Sequence, residues 1–134
     1  MTTVPSFTLV ARTDGPVEEV WKLLHDPARF PEWWEGIETV EVQPTRGRSS
    51  DFTVWPAGYP DFPMAQRLEE GPGRVTVSCL VSDLTFTWLL REAGDGTDIQ
   101  VEVELPEREA HRLPDQRRLL ESSLATLARL AVGR

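Results

Sequence analysis

Few side chains in this 134-residue chain are of types that do chemistry, and their spacing narrows the choice further. His25 and His111 lie far apart, and neither has the other histidine or the single cysteine within a helical turn or short loop, so no zinc site is expected. No G-x-S-x-G, phosphate-loop or dinucleotide glycine pattern occurs, so no cofactor is expected either. Glu69-Glu70 and Glu102 with Glu104 read as solvated carboxylates. Cys79, on an apolar strand face, reads as inert core rather than nucleophile. Arg67 follows Ala65-Gln66, and strand alternation puts it with Ala65 and Glu69, opposite Met64 and Leu68. A surface ion pair with Glu69 or with a neighbouring strand is its ordinary fate.

What remains is an aromatic inventory that suits binding better than bond-making. Five tryptophans stand at positions 21, 33, 34, 55 and 88. Small-molecule pockets are lined by such rings with a few polar groups among them. Trp21 is expected in the core. Trp33 and Trp34 are adjacent, and two neighbours on a helix cannot both face one core, so one belongs at a cavity mouth or on the surface. Trp55, Met64, Gln66, Cys79, Phe86 and Trp88 lie on strands, where pocket wall and solid core both remain open. Leu120 and Leu124 oppose them from a helix, and Tyr59, on a proline-glycine loop, is a candidate for the rim or plain surface.

The elements that must position these groups are legible from periodicity. Phe7, Leu9, Ala11 and Thr13 alternate along a first strand. Val17, Val20, Trp21 and Leu24 form one helical stripe, with Asp14 as a candidate N-cap; Asp26 then caps a second short helix, residues 28–34. Strands are expected at 37–43, 49–55, 62–70 and 74–81, the last with Val75, Val77, Cys79 and Val81 on one face. Ser82-Asp83 reverses the chain into 84–92. Gly94-Asp95-Gly96 then makes a hairpin in which both glycines are free to take positive φ, leading into the alternating run from Ile99 to Leu105. Pro106 ends the sheet. A helix over 107–131 follows, with Pro114 a kink or a fresh start and Leu113, Leu120, Leu124, Leu127 and Ala131 on its stripe.

The run Gly15-Pro16, Glu18-Glu19-Val20-Trp21, Leu24, Asp26-Pro27, Phe30-Pro31-Glu32-Trp33-Trp34, Gly36-Ile37 resembles the opening of the SRPBCC superfamily, in particular its polyketide cyclase/dehydrase branch of START-like, Bet v 1-like proteins. The resemblance implies an α+β helix-grip fold. A curved antiparallel sheet of about seven strands would surround a long C-terminal helix, with two short helices after the first strand and a cavity between sheet and helix. It also implies a hydrophobic or aromatic small molecule in that cavity. In the aromatase/cyclases of this branch, arginines and hydroxyls polarise a poly-keto chain, an oxyanion-type role. By resemblance that role falls on Arg67, with Gln66 and Tyr59 positioning a keto oxygen. Thr53 and Trp55 stand where a second basic group would be needed, a departure from that pattern. Two readings lead, a binding module without covalent chemistry and a polyketide cyclase/aromatase-type enzyme; a protein-interaction partner, which a filled cavity with a large exposed apolar patch would favour, is a third class.

Composition bounds both. A net charge of -8 and a pI near 4.7 argue against nucleic acid and against an anionic membrane surface. One cysteine excludes an internal disulfide. No segment approaches the roughly 18 apolar residues of a membrane span, and the N-terminus lacks a signal-peptide pattern. One domain over residues 1–134, a cytoplasmic location and a monomer or small homo-oligomer are the expectation.

Overall fold

The structure, a computed structural model, describes residues 4–44, 47, 49–58 and 61–132. Seven strands, β1 (Ser6–Thr13), β2 (Ile37–Val42), β3 (Ser49–Pro56), β4 (Met64–Gly71), β5 (Arg74–Cys79), β6 (Thr85–Ala93) and β7 (Gly96–Glu104), form one antiparallel curved sheet in the order β1-β7-β6-β5-β4-β3-β2. Alternation decides its faces. Val75, Val77, Trp88, Ile99, Val101 and Val103 are fully buried on the inner face, while Glu102, Glu104 and Arg67 point the other way. Between β1 and β2 lie helix α1 (Val17–Leu24) and a 3-10 helix (Pro27–Glu32); a second 3-10 helix (Glu107–Arg112) precedes the long helix α2 (Leu113–Ala131). This is the α+β helix-grip arrangement.

Several local details differ from the sequence reading. Asp14 caps nothing: α1 starts after Pro16, whose backbone is extended and makes no side-chain cap. Asp26 does cap, its Oδ1 accepting from the Ala28 N–H at 3.1 Å. β5 stops at Cys79, so Val81 is 65% exposed, and Asp83 (φ 60°) turns a longer connection than Ser82-Asp83 alone. In the β6–β7 hairpin only Gly94 takes positive φ (63°). Gly96 is a glycine for space, because a Cβ there would overlap the Thr13 carbonyl. Pro114 begins a helix rather than kinking one: it sits in the first turn of α2, after the 3-10 segment has ended.

One end of α2 is fixed tightly to the sheet. The Thr13 hydroxyl donates to the Ala128 carbonyl (2.6 Å) and accepts from the Gly15 N–H (3.1 Å), while Thr97 donates to the Gly15 carbonyl (3.0 Å). Thr13 and Thr97 are buried, so each of these bonds satisfies a group that water cannot reach. A Cβ at Gly15 would overlap the Ala131 carbonyl. Gly15→Ala should therefore cost about 1–3 kcal/mol through forced separation of α2 from the corner, read as a lowered urea midpoint; an unchanged midpoint would refute the pin.

Candidate functional site

The two tryptophans after the first 3-10 helix are placed by the way that helix ends. Arg29 and Glu32 close its exposed side with paired bonds of 3.0 and 2.9 Å, which hold the Glu32 carboxyl below the usual range and the Arg29 guanidinium above it. Trp33 then leaves helical geometry at φ -138°, ψ -22°. Both indoles consequently turn inward, only 2% and 6% exposed, where a regular helix would have sent one of them out. They stack on each other at 5.3 Å with 25° between planes. Trp33 donates to the Leu23 carbonyl (2.9 Å) and meets Trp88 edge-on at 5.2 Å, so it belongs to the packed core. Trp34 meets Phe86 edge-on at 4.9 Å and presents its far side to an open volume.

That volume is a cavity of about 710 Å³ between the inner sheet face and the first two turns of α2. Its sheet wall is Val54, Met64, Gln66, Cys79 and Phe86, with Leu84 and Ser82 from the β5–β6 connection. Trp34, Glu35 and Ile37 form one end. Arg112, which ends the second 3-10 helix, and Asp115, Gln116 and Leu119 of α2 form the facing stripe at i, i+3, i+4 and i+7. The next residue of that stripe is Ser123, and there the hollow closes. Its hydroxyl accepts from the Glu35 N–H at 2.9 Å and donates to the Leu119 carbonyl at 2.7 Å, with the side chain fully buried.

Five sequence candidates, Trp34, Met64, Gln66, Cys79 and Phe86, are thus brought together around one cavity. Trp33 and Trp88 are solid core. Leu120 and Leu124 are buried against the sheet rather than lining the hollow; the cavity face of α2 is rotated from theirs, towards Leu119 and Gln116. Trp55 points to the opposite face from Phe52 and Val54. With Glu38, Thr39, Glu41 and Pro56 it borders a groove of about 630 Å³ along the edge strand β2. Tyr59 lies outside the described residues. Arg67 also turns away from the cavity. It is exposed on the outer face and bonded to Asp51 of β3 at 2.7 and 3.2 Å, which holds its guanidinium protonated beyond even its usual range. Alternation had already put Arg67 opposite Met64, so its resemblance-based catalytic role is corrected by strand geometry. Arg112, Gln116 and Leu119 were not among the candidates: they share one helical stripe, but its mixed polarity does not set it apart from an ordinary surface stripe.

The family can now be set against this geometry. The family model described as polyketide cyclase/dehydrase and lipid transport matches residues 5–132. The chain belongs to that family. No curated protein matches its sequence. Among solved structures, Zhui aromatase/cyclase from Streptomyces superposes with a TM-score of 0.79 at 13% identity, covering 96% of this chain and 94% of that one. A protein from Chromobacterium violaceum gives 0.71 at 18%, covering 97% and 99%, and one from Thermus thermophilus gives 0.72 at 18%, covering 96% and 97%. The di-domain ARO/CYC BexL gives 0.74 at 15%, covering 98% of this chain and 51% of its own. The polyketide cyclase/dehydrase fold is therefore carried here by pattern rather than by shared residues.

No described helix is long and apolar enough to cross a membrane, and no cluster of metal-ligating side chains occurs among the described residues. His25 stacks on Trp21 (5.6 Å, 8°) and lies 3.8 Å from Glu70, a structural placement away from the cavity. Because Arg67 acts only at the surface, Arg67→Ala should leave the melting temperature and the alkylation rate of Cys79 unchanged within error. A large change in either would show that the arginine reaches the cavity wall.

Proposed function

We propose that this protein is a single ligand-binding domain that holds a hydrophobic or aromatic small molecule between the sheet and the N-terminal half of α2. The observation that carries this reading is the open 710 Å³ volume walled by Trp34, Phe86, Met64 and Leu119. Pockets for drug-sized molecules run from about 300 to 1,000 Å³ and are mostly apolar. The edge-strand groove is similar in size, but its described lining includes the glutamates Glu38 and Glu41 and it lies against a strand edge, which suits an apolar molecule poorly.

A second reading, a polyketide cyclase/aromatase-type enzyme, is favoured by the fold's likeness to proteins named aromatase/cyclase. On that reading the cation near a keto oxygen would be Arg112, which lines the cavity while bonded to Glu109 at 3.1 Å, and not Arg67. The binding reading needs no such group and is the simpler account of a wall without a nucleophile–base pair.

Cys79 makes the test direct, since it is the only cysteine, is buried and lines the cavity. Saturating 2-acetylnaphthalene, a neutral apolar probe, should slow alkylation of Cys79 by iodoacetamide severalfold and raise the melting temperature. Met64→Trp, which fills the cavity, should remove both effects without unfolding the protein. Probe binding with no protection of Cys79 would place the ligand elsewhere.

A further inference from the structure

Among the described residues the amide of Gln66 is the one strongly polar group set into the apolar sheet wall, and we infer that it selects the ligand: an uncharged aromatic molecule carrying a carbonyl or hydroxyl oxygen, read by Gln66 with help from Ser82. This rests on the cavity-binding reading above and adds to it the polarity of the ligand. Gln66 is only 7% exposed. On the inner face its register partners are Phe52 of β3 and Cys79 of β5, both buried, so nothing beside it in the sheet offers a bonding group of comparable strength. Among the described residues its side chain makes no hydrogen bond. Ser82 lines the same cavity and its Oγ is buried, also without a partner.

Buried polar groups are nearly always bonded; the Gln66 amide, short of full enclosure, opens on the cavity, and together with the enclosed Ser82 Oγ in the same lining it calls for an occupant that supplies a partner. An amide both donates and accepts, which suits a ketone, a phenol or a quinone oxygen equally well. A molecule that fills the cavity with hydrocarbon alone would leave both groups desolvated and unpaired, a cost that turns burial into discrimination. Formal charge is excluded from the same spot. The ionisable residues of the lining, Glu35, Arg112 and Asp115, come from the α2 side and from Glu35's end of the hollow. Arg112 is already held by Glu109 and Asp115 by Arg118 (2.7 Å). Around Gln66 stand Val54, Met64, Cys79 and Phe86, where an ion would be stripped of water with no counter-charge.

Calorimetric titration of the full chain with 2-acetylnaphthalene, 2-ethylnaphthalene and 2-naphthoate at pH 7 tests this. The ketone should bind about three- to tenfold more tightly than the hydrocarbon, the value of one or two neutral hydrogen bonds, and more tightly than the carboxylate. Gln66→Met should remove the preference by weakening the ketone while the hydrocarbon binds as well or better; Ser82→Ala, on a connection rather than in the wall, should reduce it. Equal binding of ketone and hydrocarbon by the unaltered protein, a full preference retained in both variants, or tighter binding of 2-naphthoate would each overturn the assignment and leave the cavity reading standing. Failure of all three probes to bind would instead remove the cavity reading itself.

Discussion

The structure depends on an asymmetry in how one helix is held. At its C-terminal end α2 is bonded through Thr13 and packed against a residue with no side chain, Gly15, and Leu124, Leu127 and Ala131 sink into the sheet. At its N-terminal end nothing comparable exists: the 3-10 segment before it has no buried residue, and Arg112, Asp115 and Gln116 face a hollow. A straight rod pinned at one end of a curved sheet must diverge from it towards the other. The cavity is thus a consequence of where the bonds are placed, and Ser123 marks the point at which contact gives way to space.

The aromatic cluster sets how far that divergence extends. Phe30, Trp33, Trp34, Phe52, Phe86 and Trp88 are linked by ring contacts of 4.9 to 5.7 Å, mostly edge-to-face. They form a wedge between the rod and the bowl. Its inner members, Trp33 and Trp88, are fully committed to packing; its outer member, Trp34, is packed on one side and open on the other. Trp88 Nε1 has no oxygen partner among the described residues. The indoles of Trp33 and Trp34 meet the Trp88 ring at 90° and 73°, contacts that are a weaker substitute for a hydrogen bond. The wedge is bought largely with apolar area, at about 25 cal/mol per Å², and it can carry that unmet donor.

What the sequence made legible was whatever repeats with a strict period. Strand alternation in the sequence alone locates the inner residues of β5, β6 and β7 and puts Arg67 opposite Met64. The resemblance supplied the overall arrangement of sheet and helix. It erred where it drew a function onto Arg67, because a family motif carries no information about which way a side chain turns in this chain's own register. The helix α2 was read by its strongest stripe, Leu120–Leu124–Leu127, which identifies the core. A pocket is found on the weaker neighbouring stripe, where polar and apolar residues mix and hydrophobicity gives no signal. One of Trp33 and Trp34 was expected at a cavity mouth or on the surface, and Trp34 lines the cavity; both indoles are nonetheless buried, because the expected regular helix is a 3-10 turn that ends at Glu32, which periodicity over so short a span does not report.

These separations also explain how one fold accommodates very different sequences. TM-scores of 0.71 to 0.79 at 13 to 18% identity mean that the chain path survives when most side chains change. Here the residues that fix the path are the pin at Thr13, Gly15 and Thr97, the wedge of rings, and the alternating valines of the central strands. Apart from Trp34 and Phe86, which belong to the wedge, much of the cavity lining comes from other positions: the first two turns of α2, the β5–β6 connection, and one side of β4. Changing a residue there disturbs a surface facing a cavity rather than a close-packed neighbour, so it carries little of the penalty that close-packed cores impose on altered volume. The same physical division that holds α2 at one end leaves the lining at the other end free to vary in chemistry, and in this chain it places an unpaired amide in that position.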